Sequence, residues 1–465
     1  MITIANASAF WGDQPDAAAR LVAAQPDLDF ITFDYLAELS LSIMAIIRAK
    51  DPYFGYARDF VDVVHSLLPY YRKGGRTRLV TNAGGFDPER CALAVAAVLH
   101  QGGLSQMKIA VVTGDNVLPI LQRAANESER PPSGQSEEGG IAPFANLETN
   151  EPLTAIGSRL VTANVYLGAE SIAGALRAGA DIIITGRVAD PSLVVGPAMA
   201  ALGWAATDYD RIAGATVAGH LIECGTQACG GFSTDWLDLP ANDDIGFPIV
   251  ELDRDGSCVL TKQPQSGGAV TIETVKEQLL YEIGDPGNYL SPDATVSFLT
   301  LQLETAGRDR VRVSGATGRP PPSAYKVSAS YRDGYKAHSL LTVLGRDAVA
   351  KAHRAGAGIL HRLKTRGCLF RETRVECLGT GASVDGIIRR VAEEDLFETV
   401  LRVSVAADGK EPVERFTKEI SSLITCGPQG ITGYASGRPK VMPIFGYWPC
   451  LIDRDAVSPQ WRIWG

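Results

Sequence analysis

Short apolar runs alternate with amphipathic stretches along the N-terminal part of the chain. The runs predict strands at residues 2–4, 29–33, 78–81, 108–113, 161–164 and 181–185. The stretches between them predict helices at residues 15–24, 36–49, 58–68, 88–100 and 169–178. Because parallel strands need crossover connections, this alternation predicts an α/β fold with a doubly wound, mostly parallel sheet that helices cover on both faces.

The pattern changes near residue 245. Two alternating runs flank a hairpin turn at residues 254–256, and later strands and helices no longer alternate strictly. We expect an α/β domain at residues 1–243, followed by an α+β domain at residues 244–465 that ends in a Gly/Pro-rich tail. Residues 126–152 are polar and rich in Pro, Gly and Ser, which predicts either an inserted surface loop or a lid over a site.

Composition narrows the class of protein. The 465 residues are 45% hydrophobic and 21% charged, which is typical of a globular chain. A net charge of −9 without a Lys/Arg block argues against nucleic acid as a partner. The chain lacks a long apolar window, its N-terminus does not resemble a signal peptide, and its eight cysteines are scattered. We therefore expect a cytoplasmic protein with no membrane partner, and the apolar stretch Pro443–Trp448 favours a homo-oligomer.

Polar residues follow the predicted strands at the edge where parallel sheets bind ligands. The candidates are Asn6, Asp34, Glu38, Asn82, Gly84, Gly85, Asp115, Arg187 and Asp190. Helix capping explains Asn, Asp or Gly at any single strand end. Six such ends together favour a substrate pocket, as do Trp11, Glu38, Arg187 and Asp190, which capping does not need. The glycine-rich fingerprints of dinucleotide and nucleoside triphosphate sites are absent from the sequence, as is Gly-x-Ser-x-Gly. The cofactor is therefore left unassigned.

A second candidate cluster lies in residues 218–231. If this segment is helical, His220 shares a face with Glu223 and Cys224. Four interpretations stay open: a His–Glu acid–base pair, a Cys–His nucleophile pair, a soft metal site, and a buried helix end whose polar groups cap one another. We take His220, Glu223 and Cys224 as catalytic candidates and assign no metal ligand.

Two arginines are candidates for anion binding. Arg187 directly follows the most apolar strand, so we expect it to bind a substrate carboxylate or another anion, with Asp190 as the alternative partner. His220 would then shuttle protons and Glu223 would orient it. Arg319 precedes three prolines, which indicates either a stiff loop or a second cationic anchor.

Seven motifs, in order along the chain, resemble the acyclic terpene utilisation (AtuA-type) family. They are residues 6–13, 33–38, 81–85, 186–190, 218–225, 279–283 and 318–322. The resemblance covers nearly the whole chain, and we expect the extra small C-terminal domain of longer members to be absent. The family name refers to bacterial degradation of citronellol-type terpenes through acyl-CoA intermediates. The resemblance thus implies carbon catabolism near acyl-CoA chemistry and assigns no role to any residue.

These observations together predict an enzyme of small carboxylate or acyl-CoA catabolism. We expect a lyase or hydratase that uses acid–base chemistry, because the candidate residues are carboxylates, His and Arg without a redox fingerprint. The alternatives are a non-catalytic scaffold subunit of an acyl-CoA enzyme complex and a cysteine-dependent thioester hydrolase or transferase.

Overall fold

The structure is a computed structural model that describes residues 1–37, 39–128, 142–384, 386–387, 392–433 and 437–464. It divides into two compact units, which we call the first unit (Met1–Ser330 with Tyr447–Gly465) and the second unit (Tyr331–Gly446). The helices are α1 (Ala17–Ala24), α2 (Ser40–Arg48), α3 (Asp59–Arg72), α4 (Pro88–Gln101), α5 (Leu118–Ser128), α6 (Glu170–Arg177), α7 (Ser192–Leu202), α8 (Tyr209–Glu223), α9 (Ile272–Leu280), α10 (Ala348–Thr365), α11 (Lys410–Glu419) and α12 (Leu423–Cys426).

The strands are β1 (Ile2–Asn6), β2 (Phe30–Phe33), β3 (Arg78–Thr81), β4 (Ile109–Thr113), β5 (Leu160–Val165), β6 (Ile182–Thr185), β7 (Pro248–Leu252), β8 (Cys258–Lys262), β9 (Tyr289–Leu290), β10 (Thr295–Ser297), β11 (Gln302–Gly307), β12 (Arg310–Ser314), β13 (Thr317–Arg319), β14 (Ala324–Leu344), β15 (Glu372–Leu378), β16 (Glu398–Ala407), β17 (Ile431–Thr432), β18 (Met442–Asp453) and β19 (Gln460–Trp464).

A ten-stranded mixed sheet organises the first unit, in the order β11-β12-β8-β7-β1-β2-β3-β6-β4-β19. Its central strands, β1, β2, β3, β6 and β4, pair in parallel. The strands on either side pair antiparallel, beginning with β7 against β1 and β19 against β4. The α/β class is therefore confirmed, in the coarser form of a large sheet that is part parallel and part antiparallel.

The central strands read as nearly continuous apolar runs, and β2 and β6 are buried along their whole length. On one face, Leu21 of α1, Phe60 of α3 and Val95 of α4 pack with Phe33 and Ile184 in a single buried cluster. Each such side chain contributes about 1.5–3 kcal/mol when it leaves water. This packing fixes the carboxyl ends of the parallel strands, which carry the candidate site.

Strand β5 departs from the sequence prediction. It pairs with β14 outside the ten-stranded sheet, so its assignment to the parallel sheet was wrong. Thr162 Oγ1 lies 2.6 Å from Ser330 Oγ of β14, and Asn164 forms an isolated antiparallel backbone bridge with Asn116. The fully buried β6 occupies the place between β3 and β4 instead.

The two compact units divide after residues 330 and 446. Residues after 243 supply β7, which is hydrogen-bonded directly to β1, and then β8, β12 and β11 of the same sheet. The C-terminal tail also belongs partly to the first unit, because β19 pairs with β4. Within that tail Trp448 is buried and its Nε1 donates to the carbonyl of Phe144 at 3.0 Å. Trp448 is thus covered within its own chain, and the homo-oligomer stays a prediction.

The second unit is built on an antiparallel sheet in which β16 lies between β14 and β15. Helices α10 and α11 pack on one face of it, where Ile359 and Phe416 meet Leu341, Leu401 and Val403. The burial of every second residue along β16 reflects this one-sided covering.

Thirteen of the 27 residues of the polar segment 126–152 lie outside the described part of the chain. Residues 129–141 are not among the described residues, and the prediction of a lid falls mainly on them. In the described part of the chain, no helix combines the length and apolarity that a membrane crossing needs.

Candidate functional site

The carboxyl ends of the five parallel strands carry polar residues, four of which bond to one another in two pairs. These residues are Asn6, Asp34, Asn82, Asp115 and Arg187, at or just after the ends of β1, β2, β3, β4 and β6. Asn82 Nδ2 donates to Asp34 Oδ1 at 2.7 Å, and the Arg187 backbone N–H donates to Asp115 Oδ2 at 2.9 Å. The strand ends therefore form a polar layer that contains two hydrogen-bonded pairs, whereas Asn6 bonds to the end of α8.

A cavity of about 390 Å³ lies beside this layer, in the first unit. Its wall includes Asp34 from the end of β2, Asp190 from the start of α7, and Glu223 and Cys224 from the end of α8. Asp13 and Glu282 also line it, together with Phe10, Phe232, Phe247 and Tyr281. Among the described lining residues, none is Lys, Arg or His. The cavity is therefore acidic, with an aromatic contribution.

Asp34 is held rigidly at the cavity wall. Only 5% of the residue is exposed, and its Oδ1 accepts hydrogen bonds from Asn82 Nδ2 and from the Leu36 backbone N–H at 3.1 Å. No described residue donates a hydrogen bond to Oδ2. Burial, and then repulsion from Asp190, raise the pKa of Asp34 well above its ordinary value, although Arg187 opposes this. Asp34 is thus a basic carboxylate with a free oxygen.

Arg187 lies beneath the cavity and does not line it. It is 2% exposed; its guanidinium donates to the carbonyl of Leu36, lies 2.9 Å from Asp190 Oδ1 and stacks 4.2 Å from the centre of the Tyr166 ring. Burial lowers the pKa of Arg187, but Asp190, Tyr166 and Asp34 outweigh it, so the pKa is raised and the charge persists. The guanidinium is already paired, and the geometry favours Asp190 over an incoming anion as its partner.

The His220–Glu223 pair forms as the helical spacing predicts. His220 Nδ1 lies 2.8 Å from Glu223 Oε1, and His220 Nε2 lies 2.9 Å from the carbonyl of Gln278. A carbonyl only accepts, so Nε2 carries a proton. The 2.8 Å contact at Nδ1 then needs a second proton, because otherwise two lone pairs would face each other. The pair therefore holds one proton in common, as imidazolium with carboxylate or as imidazole with carboxylic acid.

The pair is oriented with Glu223 toward the cavity and His220 behind it. Glu223 lines the cavity and its Oε2 has no hydrogen-bond partner among the described residues, whereas His220 is 1% exposed and is covered by Tyr289 and Phe298. Burial raises the pKa of Glu223 to about 7, against the opposing effect of His220. Burial lowers the pKa of His220, but Glu223 and the Gln278 carbonyl outweigh it and the pKa is raised.

The end of α8 is shaped to present Glu223. Asn6 Nδ2 donates to the carbonyls of Ile222 and Glu223 at 2.6 and 3.1 Å, so the last turn is tied to the end of β1. Gly225 then takes a φ of +57°, which L side chains rarely adopt, and the chain turns away. Asn6 is consequently a capping residue that faces the helix and does not line the cavity.

Cys224 lines the cavity beside Glu223. Burial, and then the Glu223 carboxylate, raise the pKa of its thiol above the ordinary value. A nucleophilic cysteine needs the opposite shift, toward the thiolate. The environment therefore favours an unreactive thiol. Across the described residues, the His, Cys, Asp and Glu side chains form no group of three or more that could hold a metal ion.

Several other candidates do not line this cavity. Gly84 packs against backbone, since a Cβ there would lie 2.4 Å from the carbonyl of Thr185, and Gly85 would meet the carbonyl of Gly55 at 2.8 Å. Arg319 is exposed on β13, where it donates to Asn288 Oδ1 at 2.8 Å. Asn82 donates a hydrogen bond to Asp34, and Asp115 accepts one from the Arg187 backbone N–H. Neither residue lines the cavity. Glu38 lies outside the described residues.

The sequence reasoning did not single out two residues that complete the site. Gln278 of α9 holds His220 from both sides, because its carbonyl accepts from the imidazole and its side chain donates to the His220 carbonyl at 2.9 Å. Glu282 lines the cavity with a φ of +60°, in the left-handed region. Neither has a spacing signal that links it to α8, because the contact is made by tertiary packing.

The fold and the site define a class of protein before any comparison. It is a mixed α/β protein with an acidic, aromatic-lined cavity at the carboxyl edge of its parallel strands and a buried His–Glu pair in the cavity wall. The model of the acyclic terpene utilisation family protein AtuA matches residues 2–463, which is essentially the whole chain. The chain belongs to this family. No curated protein and no solved structure matches it significantly.

Proposed function

We propose that this protein is an acid–base enzyme of the lyase or hydratase class, with Glu223 as the group that exchanges a proton with the substrate. One observation carries the proposal: a carboxyl group with a pKa of about 7 lines a cavity, and one of its oxygens has no hydrogen-bond partner among the described residues. A group with a pKa near the working pH is both a competent acid and a competent base. His220, bonded to the other oxygen, positions the carboxyl group and supplies the shared proton.

Asp34 supplies the complementary group on the same cavity wall. In a dehydration, Asp34 takes a proton from carbon and the C–H electrons form the new double bond. The C–O bond breaks at the same time, and the hydroxyl leaves as water with the proton of Glu223. Hydration is the reverse. Both carboxyl groups have raised pKa values, which suits one as the base and the other as the acid.

The proposed substrate is a small carboxylate or an acyl-CoA, as the family context implies. The proposal includes a cytoplasmic location, a homo-oligomeric state and a doubly wound arrangement of the central strands. Buried carboxylates at the strand ends support an enzyme over a scaffold, because a scaffold would fill these positions with apolar side chains. The raised thiol pKa of Cys224 supports acid–base chemistry over a cysteine nucleophile.

A two-stage experiment tests the proposal. A thermal-shift screen with free acids, acyl-CoA thioesters and divalent metals selects ligands, and turnover of the hits is followed by mass spectrometry. We expect Glu223→Gln to lower kcat by about 10²–10⁴-fold, since Gln fills the same space and cannot exchange a proton. Glu304→Gln, at an exposed residue of β11, is the matched control and should leave kcat unchanged.

His220→Gln separates positioning from simple structural support. It leaves Glu223 a hydrogen-bonding neighbour but removes the opposing effect of the imidazole on the Glu223 pKa. We expect a lower kcat and an alkaline shift of the pH–rate limb that Glu223 controls. Full activity of Glu223→Gln, or a limb that does not move in His220→Gln, would contradict the proposal.

A further inference from the structure

The charged side chains that line the cavity are acidic and none of the described ones is basic, which bears on the part of the substrate that the cavity accepts. Five carboxylates line it (Asp13, Asp34, Asp190, Glu223 and Glu282), and no cationic side chain does so among the described residues. Arg187 and His220 lie behind the wall and are bonded to Asp190 and Glu223. An anion entering this space would meet several like charges in a medium of low dielectric.

Two carboxylate oxygens of the cavity wall have no hydrogen-bond donor among the described residues. Asp34 is 95% buried, since its exposed fraction is 5%, and its Oδ2 accepts no hydrogen bond from a described residue. Glu223 Oε2 is buried and likewise has no partner in the described part of the chain. A buried acceptor without a donor is costly, so a bound ligand that donates a hydrogen bond to Glu223 Oε2 would satisfy it.

The rim of the cavity is aromatic and exposed, whereas the wall is acidic. Phe10, Phe232 and Tyr281 line it and are 51%, 91% and 42% exposed. Exposed aromatic side chains beside a polar cavity are typical of a ligand site, where they cover the apolar body of the molecule. The two regions together fit a molecule with an apolar body and a polar head.

We propose that the cavity binds the substrate by an uncharged, hydroxyl-bearing end, that this hydroxyl lies beside Glu223 Oε2, and that any anionic group of the substrate stays outside the aromatic rim. This inference rests on the proposed function, since the hydroxyl placed beside Glu223 is the group that a dehydratase removes. It also replaces the anion-binding role expected for Arg187. For an acyl-CoA, the acyl end would enter and the phosphates would remain in solvent.

Three probes with the same six-carbon chain test the inference: hexan-1-ol, hexylammonium and hexanoate, titrated by ligand-observed NMR. We expect hexan-1-ol to bind and hexanoate to bind at least about tenfold more weakly, because of repulsion by the cavity carboxylates. Asp34→Asn should reduce that discrimination, as should Glu282→Gln, which serves as the second variant in case Asp34→Asn does not fold. Asp235→Asn, at an exposed residue outside the cavity, should not change it.

Each other outcome contradicts the inference. Hexanoate binding as tightly as hexan-1-ol would show that the cavity accepts anions. Tighter binding of hexylammonium than of hexan-1-ol, lost in the same variants, would assign the cavity to amines. Binding that the cavity variants leave unchanged would place the probe at another site. No binding of any probe would show that the cavity does not accept an uncharged hydroxyl end. These measurements need no turnover, so an inactive protein that ranks the probes as expected would refute the catalytic proposal and retain this one.

Discussion

Replacement of Glu223 by Gln should change the pH dependence of stability in a direction that the structure sets. A carboxyl group with an ordinary pKa of 4.5 is raised to about 7 by burial. Between these two pH values the unfolded chain is ionised at this residue and the folded chain is still protonated. The stability that the protonated group contributes is therefore complete below pH 4.5 and is lost as pH rises through 7.

The magnitude follows from the same two values. A rise from 4.5 to about 7 corresponds to about 3 kcal/mol of unfolding free energy, as an upper figure because His220 shares the proton. A glutamine cannot ionise, so the Glu223→Gln variant does not lose this unfolding free energy as pH rises. It also removes the carboxylate that raises the pKa of His220, so the variant loses stability in acid. Both effects make the variant gain stability relative to the wild type as pH rises from 5 to 8.

Urea unfolding at pH 5, 6, 7 and 8, followed by tryptophan fluorescence, measures the effect. The difference in unfolding free energy between Glu223→Gln and the wild type should increase with pH, and Glu304→Gln should show no such trend. A difference that is constant from pH 5 to 8 would refute the argument, because it would mean that Glu223 titrates in the folded protein as it does in the unfolded chain.

Three further predictions concern the surrounding layer. Arg187→Met should lower the unfolding free energy by about 3–5 kcal/mol at pH 7, since it leaves buried carboxylates without their cation, and the loss should shrink in acid; urea unfolding at pH 7 and pH 5 measures it, and an equal loss at both would be contrary to expectation. Cys224 should react with iodoacetamide at least about tenfold more slowly than exposed Cys426, measured by peptide mass spectrometry, and equal rates would show an accessible thiolate. Gly84→Ala should cost about 1–3 kcal/mol because its Cβ would lie 2.4 Å from a backbone carbonyl, and unchanged thermal stability would contradict this close packing.

Hydrophobic periodicity was sufficient to locate several strands and helices of the first unit. The prediction of strands at residues 78–81 and 181–185, and of a helix at 88–100, agrees with β3, β6 and α4 to within one residue. This works because the side-chain periods of strands and helices are local properties of the chain. The His220–Glu223 contact was predictable for the same reason, since residues three apart on a helix share a face.

Tertiary structure decided which of the strand-end residues reach the cavity. Asn6, Asp34 and Arg187 all follow parallel strands, but Asn6 caps α8, Arg187 is paired with Asp190, and of the three only Asp34 lines the space. These outcomes depend on partners far away in sequence, which no local pattern specifies. Pairing partners also placed β5 beside β14 and added β7 to the edge of β1.

The division of roles within the His–Glu pair has the same origin. The sequence determined that the two side chains would meet, whereas the carbonyl of Gln278, 58 residues away, determined which nitrogen carries a proton. Burial of His220 behind Glu223 then made the carboxyl group, and not the imidazole, the one that faces the cavity. Periodicity fixes which residues share a face of a helix, but the protonation and exposure of each depend on what the rest of the chain packs against that face.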